Sequence, residues 1–333
     1  MKYATSISEF ILDNVVVYNI EQESNLLQYV SAKYPKLTKF KYFNKWEYMS
    51  LPLISNTNVQ PLYKNGWGPL LQGLSSQLKT LHIGCIILPE YLFDTLDNAG
   101  CELACLKAKS LSHSAFERFI NSTQMSFIQI LRLDDVKIRT FQFLKKLTLL
   151  KKLKLASSLC KKPMRINISR LVENCPFTVK TLSFISIRII FGLEVSGLNS
   201  IKKLSFDNTT LPEDIDGFIT RSIPQLSVLK LNCCSLQGVS FNLPKITLSH
   251  FYLGDAFPNY VRGVIVSTLR DNERRWMSLE NSQSNSDKIQ RYSVSDAPVF
   301  PAVKSRPAKE MNEVPFFTLE CHSVNNLVIR DVW

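Results

Sequence analysis

Cations recur in this sequence at a spacing that could hold an anion. Lys39 and Lys41 stand two residues apart, and so do Lys152 and Lys154. In a β-strand, residues i and i+2 point to the same side, so each pair would offer two ammonium groups to one surface. Lys107, Arg132, Lys203 and Lys230 fall in segments of the same hydropathy pattern. Such groups grip carboxylates and phosphates but break no bonds by themselves. Ile130 and Tyr252 sit at the same kind of position and would add apolar surface.

Bond-making chemistry finds little to work with. The sequence contains no nucleophile elbow, Walker loop, dinucleotide fingerprint or zinc-protease motif. Gly66-Trp67-Gly68 is too short to cradle phosphate and is followed by Pro69. His82, His113, His250 and His322 are dispersed, and His82 and His250 fall at outward strand positions, where a solvated role is expected. Eight cysteines show no CxxC pair and no Cys/His cluster at zinc spacing. They are expected to be small buried apolar side chains. No catalytic, cofactor or metal site is therefore expected, and the chain reads as a binding protein, not an enzyme.

What must position the cations is a repeat. One phrase recurs, with apolar residues at positions 1, 4, 6, 9 and 11; its clearest copy is LSVLKLNCCSL, from Leu226 to Leu236. Other copies start at Leu78, Leu103, Ile128, Leu150, Val179, Ile201 and Leu248, at intervals of 25, 25, 22, 29, 22, 25 and 22 residues. Earlier copies start at Ile7 and Leu37, and a last one at Val324. Intervals of this length are those of leucine-rich repeats. Positions 4 and 6 alternate with polar neighbours, as the inward face of a short strand does. Position 9 often holds a small polar or sulfur-bearing residue (Ser158, Thr209, Cys234), suited to bonding backbone groups exposed where the strand ends.

Helix-like segments lie between the phrases: NLLQYVSAKYP, HSAFERFINST, INISRLVENCP and EDIDGFITRSIPQ. Strand plus helix, repeated, predicts an α/β leucine-rich-repeat solenoid, a horseshoe with a parallel sheet on its concave face and helices on the convex face. The 333-residue length, long for one globular core, suits such an array. The predicted organisation is a solenoid over 1–255 with a loop inserted at about 45–70. An amphipathic helix and a flexible insertion over 256–323 follow, then a terminal repeat strand over 324–333. The helix is expected in NYVRGVIVSTLRDNERRW. The polar stretch from about Ser278 to Glu313 is expected to be the least ordered.

The irregular repeat length, the small residue after the strand and helix-to-strand joins such as SAKYPKLTKF resemble the leucine-rich-repeat region of fungal F-box proteins. The resemblance extends over nearly the whole chain and rests on repeat grammar. It implies a substrate receptor in ubiquitin-ligase-dependent degradation, with the repeats holding the substrate. The F-box that docks on the ligase adaptor is not visible, because the first repeat already starts at Ile7. Adaptor binding is expected only if an F-box is supplied elsewhere.

Two and four residues after each repeat start come the outward positions of the strands. Eight of the twenty-two are lysine or arginine, and Glu9 is their only acid. Across the chain the ratio is 40 basic to 28 acidic residues, so these positions are enriched. The expected partner is an acidic or phosphorylated protein segment, with a free-standing scaffold or a nucleic-acid binder as alternatives. No apolar run suits a membrane span or a signal peptide, so no membrane partner is expected and the location is read as cytoplasmic or nuclear.

Overall fold

The structure is a computed structural model. It describes residues 7–15, 20–44, 60–83, 92–109, 111, 113–135, 141–157, 164–192, 200–232, 234, 240–254, 263–268, 273–278, 289–293, 299–300 and 316–330. The chain is α/β and divides into two compact units, Met1–Ala156 and Ser157–Trp333.

In the first unit, strands β1 (Glu9–Val15), β2 (Lys39–Asn44), β3 (Thr80–Ile83), β4 (Cys105–Lys109), β5 (Ile130–Asp134) and β6 (Lys152–Ala156) follow one another in sheet order. Every neighbouring pair is parallel. Helices α1 (Ile20–Lys33), α2 (Gln60–Leu74), α3 (Leu92–Asn98) and α4 (His113–Asn121) connect them, and a short 3₁₀ turn over Gln142–Lys146 does so before β6. Strands β2 to β6 begin alike: Thr38 and Lys39 both donate to the carbonyl of Ser8, at 2.8 and 3.0 Å. Lys79 and Thr80 do the same to Thr38, Ala104 and Cys105 to Lys79, Gln129 and Ile130 to Ala104, and Lys151 and Lys152 to Gln129. Two donors from one repeat share one acceptor in the repeat before it, which sets the register. Positions 4 and 6 then lie inward; Leu131, Leu133, Leu153 and Leu155 are all at most 2% exposed.

The loop expected at about 45–70 is corrected in its later part, which is α2. Glycine and proline there signalled a loop, but they serve close packing of two helices. Trp67, Leu70, Leu71 and Leu74 fall on one helical face and are buried. Gly66 meets α1 so closely that a Cβ would lie 2.8 Å from the Cα of Ser24. One turn-pair on, a Cβ at Gly73 would lie 2.6 Å from the Ser31 hydroxyl oxygen. Pro69 interrupts the helix's own hydrogen bonds, and its carbonyl accepts from Ser31 Oγ at 3.1 Å. The earlier part of the expected loop, 45–59, lies outside the described residues.

The second unit keeps the same grammar and then departs from it. It contains β7 (Met164–Asn167), α5 (Ile168–Asn174), β8 (Thr181–Ile185), β9 (Ile187–Ile190), β10 (Lys203–Asp207), α6 (Ile215–Ser222), β11 (Val228–Asn232) and β12 (Ser240–Gly254). Strands β8, β10, β11 and β12 pair in parallel, and the shared-acceptor bond recurs with Lys202 and Lys203 on Lys180, and Ser227 and Val228 on Lys202. At the far end of the strands, Thr209 Oγ1 donates to the carbonyls of Asp207 (2.9 Å) and Phe184 (3.4 Å). Cys234 Sγ donates to Asn232 (3.4 Å) and Phe206 (3.6 Å). These are the backbone bonds expected of position 9; Ser158 lies outside the described residues.

Beyond β12 come β13 (Gly263–Thr268), β14 (Glu273–Ser278), β15 (Ile289–Ser293), β16 (Val299–Phe300) and β17 (Phe316–Arg330). The amphipathic helix expected after residue 256 is therefore wrong: β13 and β14 form an antiparallel pair. Val264, Ile265 and Val266 are consecutive β-branched residues, which favour a pleated strand over a helix. The flexible insertion is also corrected where it is described, since β15 pairs with β17 and β16 with β14; its other residues lie outside the described ones. The terminal strand starts earlier than Val324, at Phe316, because β17 pairs in parallel with β13 from Phe316 and with β12 from Thr318. A register shift between Leu243 and Thr247 in β12 accommodates Pro244, which has no N–H to give.

Core burial is the main stabilising term, so Leu229→Ala, at a fully buried position, should cost about 2–5 kcal/mol in urea unfolding. A cost below about 1 kcal/mol would contradict the packing described. A second expectation concerns Glu23, 2% exposed, whose Oε2 has no hydrogen-bond partner among the described residues. Burial raises its carboxyl above the ordinary 4.5, although a hydrogen bond with Tyr42 opposes this. Its proton is thus held more tightly in the folded chain, so its contribution is full below that ordinary value and is lost as pH rises toward the folded one. Urea midpoints of the wild type should show this decline, and Glu23→Gln, which keeps the volume without the charge, should flatten it. A decline of the same size in both proteins would exclude Glu23 as its source.

Candidate functional site

Parallel pairing turns the outward positions into rows. In the first unit one row reads Glu9, Lys39, Thr80, Cys105, Ile130, Lys152, each residue the register partner of the next. The second reads Ile11, Lys41, His82, Lys107, Arg132, Lys154. Adjacent members are roughly 4.8 Å apart along the sheet. Seven of the sequence-predicted residues are thus brought onto one strand face: Lys39, Lys41, Lys107, Ile130, Arg132, Lys152 and Lys154. Lys152 is exposed and the other six are half-buried.

The face is not uniformly cationic. Lys39 and Lys41 both reach Glu9 Oε1, at 2.9 and 2.8 Å. Hydrogen bonds first from Lys41 and then from Lys39 hold the Glu9 carboxyl below its usual range. Arg132 is clamped by Asp134, its Nε at 2.8 and 3.0 Å from the two carboxylate oxygens and its Nη2 at 2.7 Å from one of them. Lys107 and Lys152 form no ion pair among the described residues.

His82 departs from expectation. It is buried, at 6% exposure, and not a solvated surface group. Burial first, then the charges of Lys107, Lys41 and Lys39, push its imidazole down to about 4, so it is neutral near pH 7. Its Nε2 lies 3.8 Å from Cys105 Sγ. Burial pushes that thiol up, and the pull of Lys107, Lys39 and Lys152 does not reverse the direction. A neutral thiol beside a neutral imidazole is not an activated nucleophile. The other described cysteines, Cys101, Cys175, Cys234 and Cys321, are buried and form no disulfide among the described residues, as expected of small apolar side chains. Burial pushes Cys101 up to about 11 and Cys175 up to about 12.

The second unit carries the remaining predicted residues. One of its rows reads Thr181, Lys203, Val228, His250, Asn326, and the other Ser183, Ser205, Lys230, Tyr252, Val328. Register places Lys230 next to Tyr252, and its Nζ lies 3.9 Å from the ring centroid, a cation–π contact. Burial, then the charge of Lys203, pushes the Lys230 ammonium below its usual range. His250 lies on the same strand as Tyr252, with ring centroids 5.8 Å apart. Its Nδ1 is 3.1 Å from Ser249 Oγ, whose own proton goes to the carbonyl of Ser227 at 2.9 Å. The Nδ1 of His250 is therefore placed as the donor to Ser249 Oγ.

Sequence reasoning missed the pairing pattern of this face. The Glu9 clamp joins residues 30 and 32 positions apart, and only the register shows it. Arg132 and Asp134 stand two apart on one strand, a signal that could have been used. Among the described residues, no group of His, Cys, Asp and Glu could hold a metal ion, and no helix is long and apolar enough to cross a membrane.

No protein-family model matches the chain, and no curated protein is similar enough to count as a relative.

The electrostatics can be checked on His82 directly. Lys107→Gln removes the largest of the charges acting on it, so its midpoint by NMR should rise from about 4 toward the ordinary 6.5 without reaching it, because burial is the larger cause. An unmoved midpoint would mean that Lys107 takes no part in lowering it.

Proposed function

We propose that this chain is a leucine-rich-repeat solenoid that binds an acidic or phosphorylated segment of a protein partner on the strand face of its first unit. The observation that carries this reading is the register: Lys107, Arg132, Lys152 and Lys154, from three successive strands, stand side by side. Repeat-by-repeat hydrogen bonds of one kind support the solenoid. The family resemblance in the repeats supports a substrate receptor of the F-box type, whose partner would be destined for degradation in the cytoplasm or nucleus. Adaptor binding is a separate property and would require an F-box. Nucleic acid would use the same lysines, but single-strand binders add stacking platforms, and Tyr252, the aromatic ring at the predicted positions, is already covered by Lys230.

Solvent-exposed charge pairs are worth about 0.2–1 kcal/mol each, so affinity comes from several acting together with an apolar contact such as Ile130. Reversing both Lys152 and Lys154 to Glu should weaken binding of an oligoglutamate peptide by roughly two- to thirtyfold, with the thermal midpoint nearly unchanged. Undiminished binding by the double variant would sink the reading. Displacement of the peptide by generic RNA at far lower concentration would favour nucleic acid instead.

A further inference from the structure

Two acids meet cations on the strand face of the first unit, Glu9 and Asp134, and the geometry around Glu9 is that of a ligand. The carboxylate of Glu9 on β1 receives two ammonium groups from β2, Lys39 at 2.9 Å and Lys41 at 2.8 Å, on a single oxygen. Lys39 is the register partner of Glu9, and Lys41 is the next residue on the same face. Two lysines closing on one carboxylate oxygen describe a carboxylate subsite. We propose that Lys39 and Lys41 form such a subsite, filled by Glu9 of the same chain in the free protein, and that an acidic side chain of the partner binds there by displacing Glu9. This inference rests on the proposed reading of the face as a site for acidic protein segments.

Exposure separates this contact from the other ion pair on the face. The side chains of Lys39, Lys41 and Glu9 are 34%, 21% and 39% exposed, so a ligand can reach all three. Asp134, which holds Arg132 through both oxygens, is only 15% exposed. The first contact is exchangeable, whereas the second is part of the strand's own surface. Glu9 thus masks one end of the row, while Lys107 and Lys152 have no such cover among the described residues. A lone carboxylate gains little by exchanging with Glu9, since it only substitutes one anion for another. A segment with several acids gains more, because it engages Lys107 and Lys152 first and then competes for Lys39 and Lys41 at high local concentration. Glu9 would therefore raise the number of acids that a partner needs.

Glu9→Gln tests this with the full chain. It should bind an oligoglutamate peptide roughly two- to fivefold more tightly than the wild type, with a steeper loss of affinity as salt rises and an unchanged thermal midpoint. Equal or weaker binding by the variant overturns the inference, while the Lys152/Lys154 reversal still tests the underlying reading independently. A second readout follows the Glu9 carboxyl by ¹³C NMR in the wild type. In the free protein it titrates below the ordinary 4.5, and saturating peptide should return it toward that value. A carboxyl that stays depressed in the complex shows that Glu9 keeps its lysines, which also overturns the inference. Failure of wild type and variant alike to bind the peptide overturns this inference together with the reading it rests on.

Discussion

A strand in this protein starts by giving two backbone N–H groups to one carbonyl of the repeat before it. Thr38 and Lys39 do so on Ser8, and Ser249 and His250 do so on Ser227. Because side chains alternate along a strand, a slip of one residue would exchange the inward and outward faces. The shared acceptor blocks that slip wherever it recurs, at eight strand starts from Lys39 to His250. Leucine and phenylalanine consequently line up inward, as Leu204 and Phe206 do beside Leu229 and Leu231, and the polar set lines up outward.

The strands end as regularly as they begin. Asp135, Ser186 and Asn208 occupy the eighth position of their repeats and share a left-handed backbone, with φ of 59°, 52° and 46°. Each turns its N–H toward the seventh residue of the next repeat: Ala156, Asp207 and Asn232, respectively. Short polar residues tolerate this conformation better than branched or bulky ones, which explains their types. The ninth residue, Thr209 or Cys234, then bonds carbonyls that the turn leaves open. Serine, asparagine and cysteine here are parts of a corner, and the corner returns the chain to the next repeat.

In-register pairing has an electrostatic cost, because it stacks like charges along each outward row. The face relieves this in several ways. Glu9 takes Lys39 and Lys41, Asp134 takes Arg132, and His82 stays neutral among lysines. In the second unit Lys230 lies over an aromatic ring. On this face of the first unit, Lys107 and Lys152 carry charge with no ion pair among the described residues. Folding energy comes from the inward rows, so the outward residues are available for recognition at little cost to stability.

Periodicity alone was enough to place the short strands of the repeats, their inward leucines and the ten candidate binding residues. Position in a parallel strand depends on local alternation, which the amino-acid order contains. Helices α1, α4, α5 and α6 were legible for the same reason, since each shows an apolar face at helical spacing. What the order of residues left undecided were contacts between segments distant in sequence. Gly66 and Gly73 looked like loop residues until α1 lay against them, and Val264–Val266 looked helical until β17 supplied a strand partner. His82 looked exposed until its neighbours on β2 and β4 enclosed it. Glu9 looked like one acid among cations until the register set two lysines on it. Burial and charge pairing are properties of neighbours in space, and only the folded chain brings those neighbours together.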